Sequence, residues 1–381
     1  MTSQPSQRAA RVSTRLIFAL GGIVLGSWAP LVPLAKTRLN VDEGTLGLLL
    51  LCMGLGSLLA MPITGYLTNR FGPKPVISVS GLGLCLVLLL AAMIDQTWLM
   101  ALNLVLFGAV MGCLSVSMNL QSVLVERAEG KAILSGFHAM FSLGGIIGSG
   151  LVSFLLAQGT SAVLSACAAV AVMLALLFAA QKGLLRVTEP KVEKAPAFVV
   201  PKGVVIAIGV LSLLAMLAEG SVLDWGALFM IEAHDAQLGT AGFAYTAFAL
   251  TMTAGRLVGD RLRTGLGDLN MLIGSAALAL IGFLISLFAP GPVLALGGFL
   301  LVGAGLSNIA PILFTLTGKT KAMPANLAIA SVLTVGYLGI IAGPAGIGFI
   351  AHATSLSTAF ALLCFAMVII MVSAKSVFRN V

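Results

Sequence analysis

The stretch VVIAIGVLSLLAMLAEGSVLDWGALFMI, Val204–Ile231, decides how this chain is built. It exceeds the roughly 20 mostly apolar residues that a membrane-spanning helix needs. Yet it holds Glu219 near its middle, with Asp224 and Trp225 just beyond. A carboxylate at the centre of such a helix costs roughly 3 kcal/mol to insert. Groups of this kind persist where a cavity, a partner or a travelling ion needs them.

The rest of the 381-residue chain follows the same pattern. Hydrophobic residues make up 59% and charged ones 9%, against about 25% charged in a soluble domain, so the chain cannot be solvated as a globule. Its formal charge of +8 sits in short connections between apolar runs, where positive charge orients a membrane protein. No basic patch alternates with aromatics, which excludes a nucleic-acid partner. Cys52, Cys85, Cys113, Cys167 and Cys364 all fall inside apolar runs without a CxxC pair. They read as small buried hydrophobes, not as disulfides or metal ligands. Arg8, Arg11 and Arg15 before an apolar run to Leu34 superficially resemble a signal peptide. That run is too long and lacks a small-x-small cleavage site, so it reads as the first retained span.

Apolar runs between charged or turn-rich breaks predict twelve spans, at 15–34, 45–67, 76–94, 98–122, 132–156, 162–180, 203–231, 240–258, 269–289, 293–316, 325–350 and 355–374. Their length excludes a barrel, whose strands would be about ten alternating residues. The fold class is therefore an all-α membrane protein of two pseudo-symmetric six-helix bundles. With the N-terminus inside, 19 of the 21 basic residues fall in inner segments, leaving Lys36 and Arg38 outside; so clean a split fixes twelve spans with both termini cytoplasmic. The polar connection Gln181 to Lys202, with Pro190, Pro196 and Pro201, reads as a flexible cytoplasmic linker. It divides the chain into a tail 1–14, a bundle 15–180, the linker 181–202, a bundle 203–374 and a tail 375–381.

The two bundles look related. Trp28, Gly44-Thr45-Leu46-Gly47 and Asn69-Arg70 in the first recur in order as Trp225, Gly239-Thr240-Ala241-Gly242 and Asp260-Arg261 in the second. Weak internal symmetry of this kind marks transporter repeats.

Gly65-Tyr66-Leu67-Thr68-Asn69-Arg70-Phe71-Gly72-Pro73-Lys74, after the second span, resembles the loop 2–3 signature of the major facilitator superfamily. Gly255-Arg256-Leu257-Val258-Gly259-Asp260-Arg261 is its better preserved copy. Asn69 stands where the family usually has an aspartate and Pro73 where a basic residue is common, which weakens a charge relay at the first copy. Gly26-Ser27-Trp28-Ala29-Pro30, the segment Phe137 to Gly145, and Glu219-Gly220 resemble the bacterial branch related to fucose permeases. The resemblance implies a transporter of the bacterial inner membrane, in many members of that branch a proton-coupled sugar carrier.

Carriers of this type hold substrate near the midplane, so polar residues within spans mark the candidate path. Ser115, Asn119, Ser122 and Glu126 form one stripe by spacing, and His138, Ser142, Gly145 and Ser149 another. Asn119 and His138 both lie about 10 Å from the cytoplasmic end at 1.5 Å per residue. The stripes predict a shared pocket or interhelical hydrogen bonding. His138 reads as a proton-handling group, a substrate donor or a structural histidine; His234 and His352 read as solvated. Asn308, Pro311 and Thr315 share a face, with Pro311 freeing a carbonyl for a cavity or only bending the helix. Asn308 is the symmetry mate of Asn119.

Glu219 reads as a proton carrier, as an acceptor for substrate hydroxyls, or as a structural acid. Few cations lie within spans, which favours a protonatable acid over a fixed ion pair. Asp224, about 140° around the helix, is expected to cap or gate the outer mouth. Trp28 and Trp225 read as interfacial anchors or as flat faces for sugar rings. Gly108/Gly112, Gly144/Gly148 and Gly339/Gly343 have the spacing of close helix packing. Gly65, Asn69, Arg70, Gly72, Lys74, Arg256, Asp260 and Arg261 read as the cytoplasmic motif whose charge contacts favour one conformation.

Together these residues predict a monomeric secondary transporter of a small polar solute, coupled to protons by alternating access and without a cofactor. A proton-driven exporter of amphipathic compounds and a non-transporting sensor are the alternatives. No HExxH or nucleophile motif supports an enzyme, and no GxxxxGK[ST] loop supports an ATP-driven pump. Green fluorescent protein fused after residue 202 or 381 is expected to fluoresce, and alkaline phosphatase fused after residue 95 or 235 to be active. The opposite pattern would reverse the orientation.

Overall fold

The computed structural model describes residues 5–130, 133–186 and 200–381, with the side chains of residues 260, 325 and 326 outside the description. Pro190 and Pro196 of the sequence reading lie outside it as well. The chain divides into two compact units, Met1–Val41 with Leu49–Glu193, and Asp42–Leu48 with Lys194–Val381. Among the described residues every regular element is a helix. This is what a bilayer demands, because a helix satisfies its backbone hydrogen bonds within itself.

The first unit comprises α1 (Gln7–Trp28), a 3-10 turn (Ala29–Leu31), α2 (Val32–Leu39), α3 (Glu43–Phe71), α4 (Pro73–Met93), α5 (Thr97–Glu129), α6 (Leu134–Ala157) and α7 (Ala162–Ala180). The second comprises α8 (Val204–His234), α9 (Leu238–Leu266), α10 (Asp268–Phe288), α11 (Pro292–Leu306), α12 (Ile309–Thr317), α13 (Ala325–Ala353) and α14 (Leu356–Arg379). The opening turn of α3 belongs to the second unit, where Gly47 lies on the backbone of α13 at Ala345 and Gly348. Taking α1 with α2 and α11 with α12 as single interrupted spans gives the twelve expected. Eleven are long and apolar enough to cross a membrane by themselves. The other, α9, matches them in length at 29 residues, but its second half carries Arg256, Asp260, Arg261 and Arg263.

The helix ends differ from the sequence reading. α1 starts at Gln7, because the Ser6 hydroxyl accepts from the Ala9 amide and caps it. Residues 8–14 are therefore helical, and α14 runs on to Arg379. Residues 181–186, expected in the linker, pack into the first unit. The fully buried Gln121 of α5 accepts from the Leu185 amide at 3.0 Å and donates to Thr14 Oγ1 and the Gly183 carbonyl.

Glycines bring the helices together. On α1, a Cβ at Gly22 or Gly26 would run into the backbone of Phe141 or Gly145; on α6, one at Gly144 or Gly148 would strike Ala19 or Ile23. Gly108 and Gly112 of α5 meet α3 at Met53 and Ser57, and Gly339 and Gly343 of α13 meet α8 at Leu213 and Leu217. All three spaced pairs are thus packing surfaces, where backbone contact replaces the hydrophobic drive that lipid cannot supply. Aromatic rings fill what remains: Trp28 edge-on to Phe107 in the first unit, and Phe229 stacked on Phe360 at 4.3 Å in the second.

The repeat is visible in backbone conformation. Asn40 and Asp235, 195 residues apart, are the non-glycine residues with positive φ among the described residues, each at 50°, and each ends the helix before the second span of its unit. Gly72 and Gly267, also 195 apart, open α4 and α10 with φ of 78° and 77°. Only glycine holds that conformation without strain.

Gly26→Val and Gly144→Val are expected to destabilise the protein by about 1–3 kcal/mol or more, as overpacking does, read as a lower Tm in detergent. At Gly65 an added Cβ meets nothing within 4 Å, so Gly65→Ala should leave the Tm unchanged or slightly raised.

Candidate functional site in the second unit

Glu219 lies at the centre of α8, 15 residues from either end, or about 22 Å at 1.5 Å per residue. The next helix, α9, returns antiparallel after a three-residue connection. Arg256 lies ten residues before the end of α9, about 15 Å inside it, and not in an inner connection as its charge suggested. Counted from that connection, the two residues fall at similar depth. Arg256 Nη2 stands 3.6 Å from Glu219 Oε1. Glu219 therefore has the in-span cation that the sequence did not reveal. The pair is loose and about one-third exposed at Glu219, 42% at Arg256, so it adds little stability, under about 1 kcal/mol for a pair this open.

Two tyrosines lie near it, and a second acid follows five residues on along α8. Tyr245 of α9 lies within electrostatic reach of Glu219, Arg256 and Asp224, and Tyr337 of α13 within reach of Glu219. Asp224 is 4% exposed and its Oδ1 is buried with no hydrogen-bond partner. It lies ten residues inside α8, about 15 Å from the helix end, so it does not cap an outer mouth. Neither tyrosine was singled out from sequence. A phenol within an apolar span was the available signal.

Trp225 and Trp28 are fully buried, and each Nε1 lacks a hydrogen-bond partner. Neither ring is at an interface and neither presents an open face. Asn308 turns its amide onto the Gly255 carbonyl of α9 at 3.0 Å and onto Ser307 Oγ at 2.8 Å. The span breaks at Ser307–Asn308, one turn before Pro311, because proline cannot donate to the carbonyl four residues back. Thr315 donates to the Pro311 carbonyl and accepts from Arg263. His234, expected to be solvated, contacts the Ser286 carbonyl at 2.6 Å and the ring of Phe229. His352 is exposed, 3.9 Å from Asp42.

In the first unit the two polar stripes divide. Asn119 donates to the Ser115 carbonyl and Ser122 to that of Asn119. Glu126 leaves the stripe to accept from the Ile133 and Leu134 amides, capping α6. Gly145 lies in the α1 contact, and the buried Ser149 donates to its carbonyl at 2.9 Å. His138 stays exposed, edge-on to Phe18 at 5.2 Å, and Ser142 donates to its carbonyl.

The loop motif is anchored by residues that follow α7. The Lys74 amide donates to the Leu185 carbonyl, Lys74 Nζ donates to the Gln181 carbonyl, and Gly72 abuts Arg186. Arg70 donates to Tyr66 Oη and lies over Phe71, while Asn69 is exposed and Gly65 half-buried. In the second copy Arg261 is exposed and the side chain of Asp260 lies outside the described residues. The ion pairs seen there join Asp268 to Arg263 at 2.9 Å and to Lys319 at 3.5 Å, a cluster sequence reasoning missed.

The pattern of the Major Facilitator Superfamily matches residues 14–326. The chain is 48% identical, over 97% of its length and 96% of the relative's, to an uncharacterized MFS-type transporter of Yersinia pestis. It is 30% identical, over 99% of its length and 91% of the relative's, to the membrane protein MosC of Rhizobium meliloti. Its fold is similar to the crystal structure of the nucleoside transporter NupG, with a TM-score of 0.77 at 16% identity over 97% and 99% of the two chains. It is also similar to a bacterial homolog of the human lysosomal transporter Spinster, with a TM-score of 0.72 at 13% identity over 99% and 98%. Twelve helices in repeated sets of six, mid-helix charges and these likenesses agree, and the chain belongs to the Major Facilitator Superfamily of multi-pass membrane transporters.

Proposed function

We propose that this protein is a proton-coupled secondary transporter of a small hydroxylated solute, sugar-like in chemistry, working by alternating access in a bacterial inner membrane with both termini cytoplasmic. The observation that carries this reading is the loose Glu219–Arg256 pair at mid-helix, beside Tyr245 and Tyr337. Charged side chains at that depth face a polar cavity and not lipid. A carboxylate accepts from solute hydroxyls, a guanidinium donates to them, and tyrosine supplies both an apolar ring and a polar tip. A pair worth so little in stability can be opened by a solute without unfolding its helices. An exporter of amphipathic compounds would be served better by an apolar, aromatic lining than by two opposed charges.

Support for the solute class comes from the branch-level sequence resemblance. NupG is a nucleoside transporter, but at 16% identity it speaks for the fold alone. Proton coupling fits a carboxylate held at mid-helix by a partner that it can release.

Purified protein screened by thermal shift against hexoses, hexitols, nucleosides and tetraphenylphosphonium is expected to be stabilised by a hydroxylated solute. In proteoliposomes loaded with a pH-sensitive dye, that solute should drive proton movement, and Glu219→Gln should abolish it. Stabilisation by the lipophilic cation alone would sink the solute class. Intact proton movement in Glu219→Gln would remove Glu219 from the coupling path.

A further inference from the structure

Glu219 holds Arg256 only loosely, at 3.6 Å, so the ion pair does not fix where the guanidinium sits. Its place depends on the turn of α9 from which it extends. That turn carries glycine at both Gly255 and Gly259, and glycine restrains a helix interior least. The break between α11 and α12 fills the space these glycines leave. A Cβ at Gly255 would strike the Ser307 hydroxyl, and the three atoms nearest to one at Gly259 all belong to the Asn308 amide. Asn308 Nδ2 donates to the Gly255 carbonyl at 3.0 Å and to Ser307 Oγ at 2.8 Å. The Ser307 hydroxyl donates in turn to the Ala304 carbonyl of α11 at 2.6 Å. One amide thus ties α9 to the end of α11.

From these contacts we infer that Asn308 is a positioning residue for Arg256 and, through it, sets the affinity for solute. A carbonyl offers two lone pairs, so Gly255 can accept from Asn308 and from its own helix together. The same carbonyl shares a rigid peptide plane with the Arg256 amide, so fixing one fixes the point from which the other's side chain extends. Asn308 is buried, so it acts through Gly255 and does not touch solute. Gly255 and Gly259 of the second loop copy are its seat, since any larger residue at either place would displace Ser307 or Asn308. The positioning of Arg256 stands on these contacts alone, whereas its effect on solute affinity rests on the transport reading above.

Backbone hydrogen exchange of the purified full chain, read by mass spectrometry, tests the positioning without any solute. Asn308→Ala is expected to speed exchange at residues 255–260 by about tenfold, as local loosening does, and to leave residues 238–248 of the same helix unchanged. Adding Gly259→Ala puts a methyl group into the vacated space and should return exchange toward the wild-type rate. Should Asn308→Ala fold poorly, Asn308→Leu keeps the volume without the amide and should show the same local rise. Exchange that is unchanged, that rises alike along all of α9, or that is not slowed by the second substitution would overturn the positioning. In proteoliposomes with L-fucose and D-mannitol as probes, Asn308→Ala should raise the half-saturating concentration roughly fivefold with the maximal rate within about twofold, the pattern of lost binding. Gly259→Ala should recover most of that loss. A half-saturating concentration that stays at the wild-type value despite faster local exchange would overturn the link to affinity. A wild type that carries neither probe would overturn the sugar-like solute class, a failure that the exchange result does not share.

Discussion

No backbone polar group can be left without a partner where water is absent, and the departures from regular helix in this protein follow from that constraint. Where Pro311 cannot answer the Ser307 carbonyl, the span splits there, and Asn308 donates to α9. Where α4 ends, Arg38 spreads its guanidinium over the carbonyls of Ala91, Ala92 and Ile94, which explains a cation on the face predicted to be poor in positive charge. Where the chain leaves α7, Gln121 and Lys74 take up the donors and acceptors of residues 181–185. Where α6 begins, Glu126 receives its first free amides. Most polar residues within the spans serve the backbone in this way.

Against that background the exceptions stand out. Glu219, Arg256 and Asp224 do not serve the backbone. The first two meet each other loosely, and one oxygen of the third meets nothing. Polar side chains that satisfy carbonyls stabilise a single arrangement. The half-open pair and the buried acid are not fixed in that way.

How much was legible in the sequence depended on the range of the interaction. Twelve spans, the two units and the glycine contacts were readable, because hydropathy and spacing are local properties of the chain. The repeat was readable as paired motifs and became sharper in the backbone at Asn40 and Asp235 and at Gly72 and Gly267. The polar stripes of α5 and α6 were only half readable. Spacing puts Glu126 and Ser149 on a face but does not say whether a cavity or a neighbouring backbone meets it. Arg256 misled for a related reason. A basic residue near a predicted span end looks like an orienting charge until the helix proves longer, and α9 runs on to Leu266.

The sequence by itself determined that this chain lies in a membrane, how many times it crosses, and that Glu219 is out of place in its span. Composition and periodicity decide these matters, since solvation by lipid or water acts on each segment separately. Only the tertiary structure decided what answers Glu219, that Asp224 is buried and not at a mouth, and that both tryptophans are core. Those facts depend on which helix lies against which, at what depth and with which face; for Glu219 and Arg256 the antiparallel packing of α8 on α9 sets them.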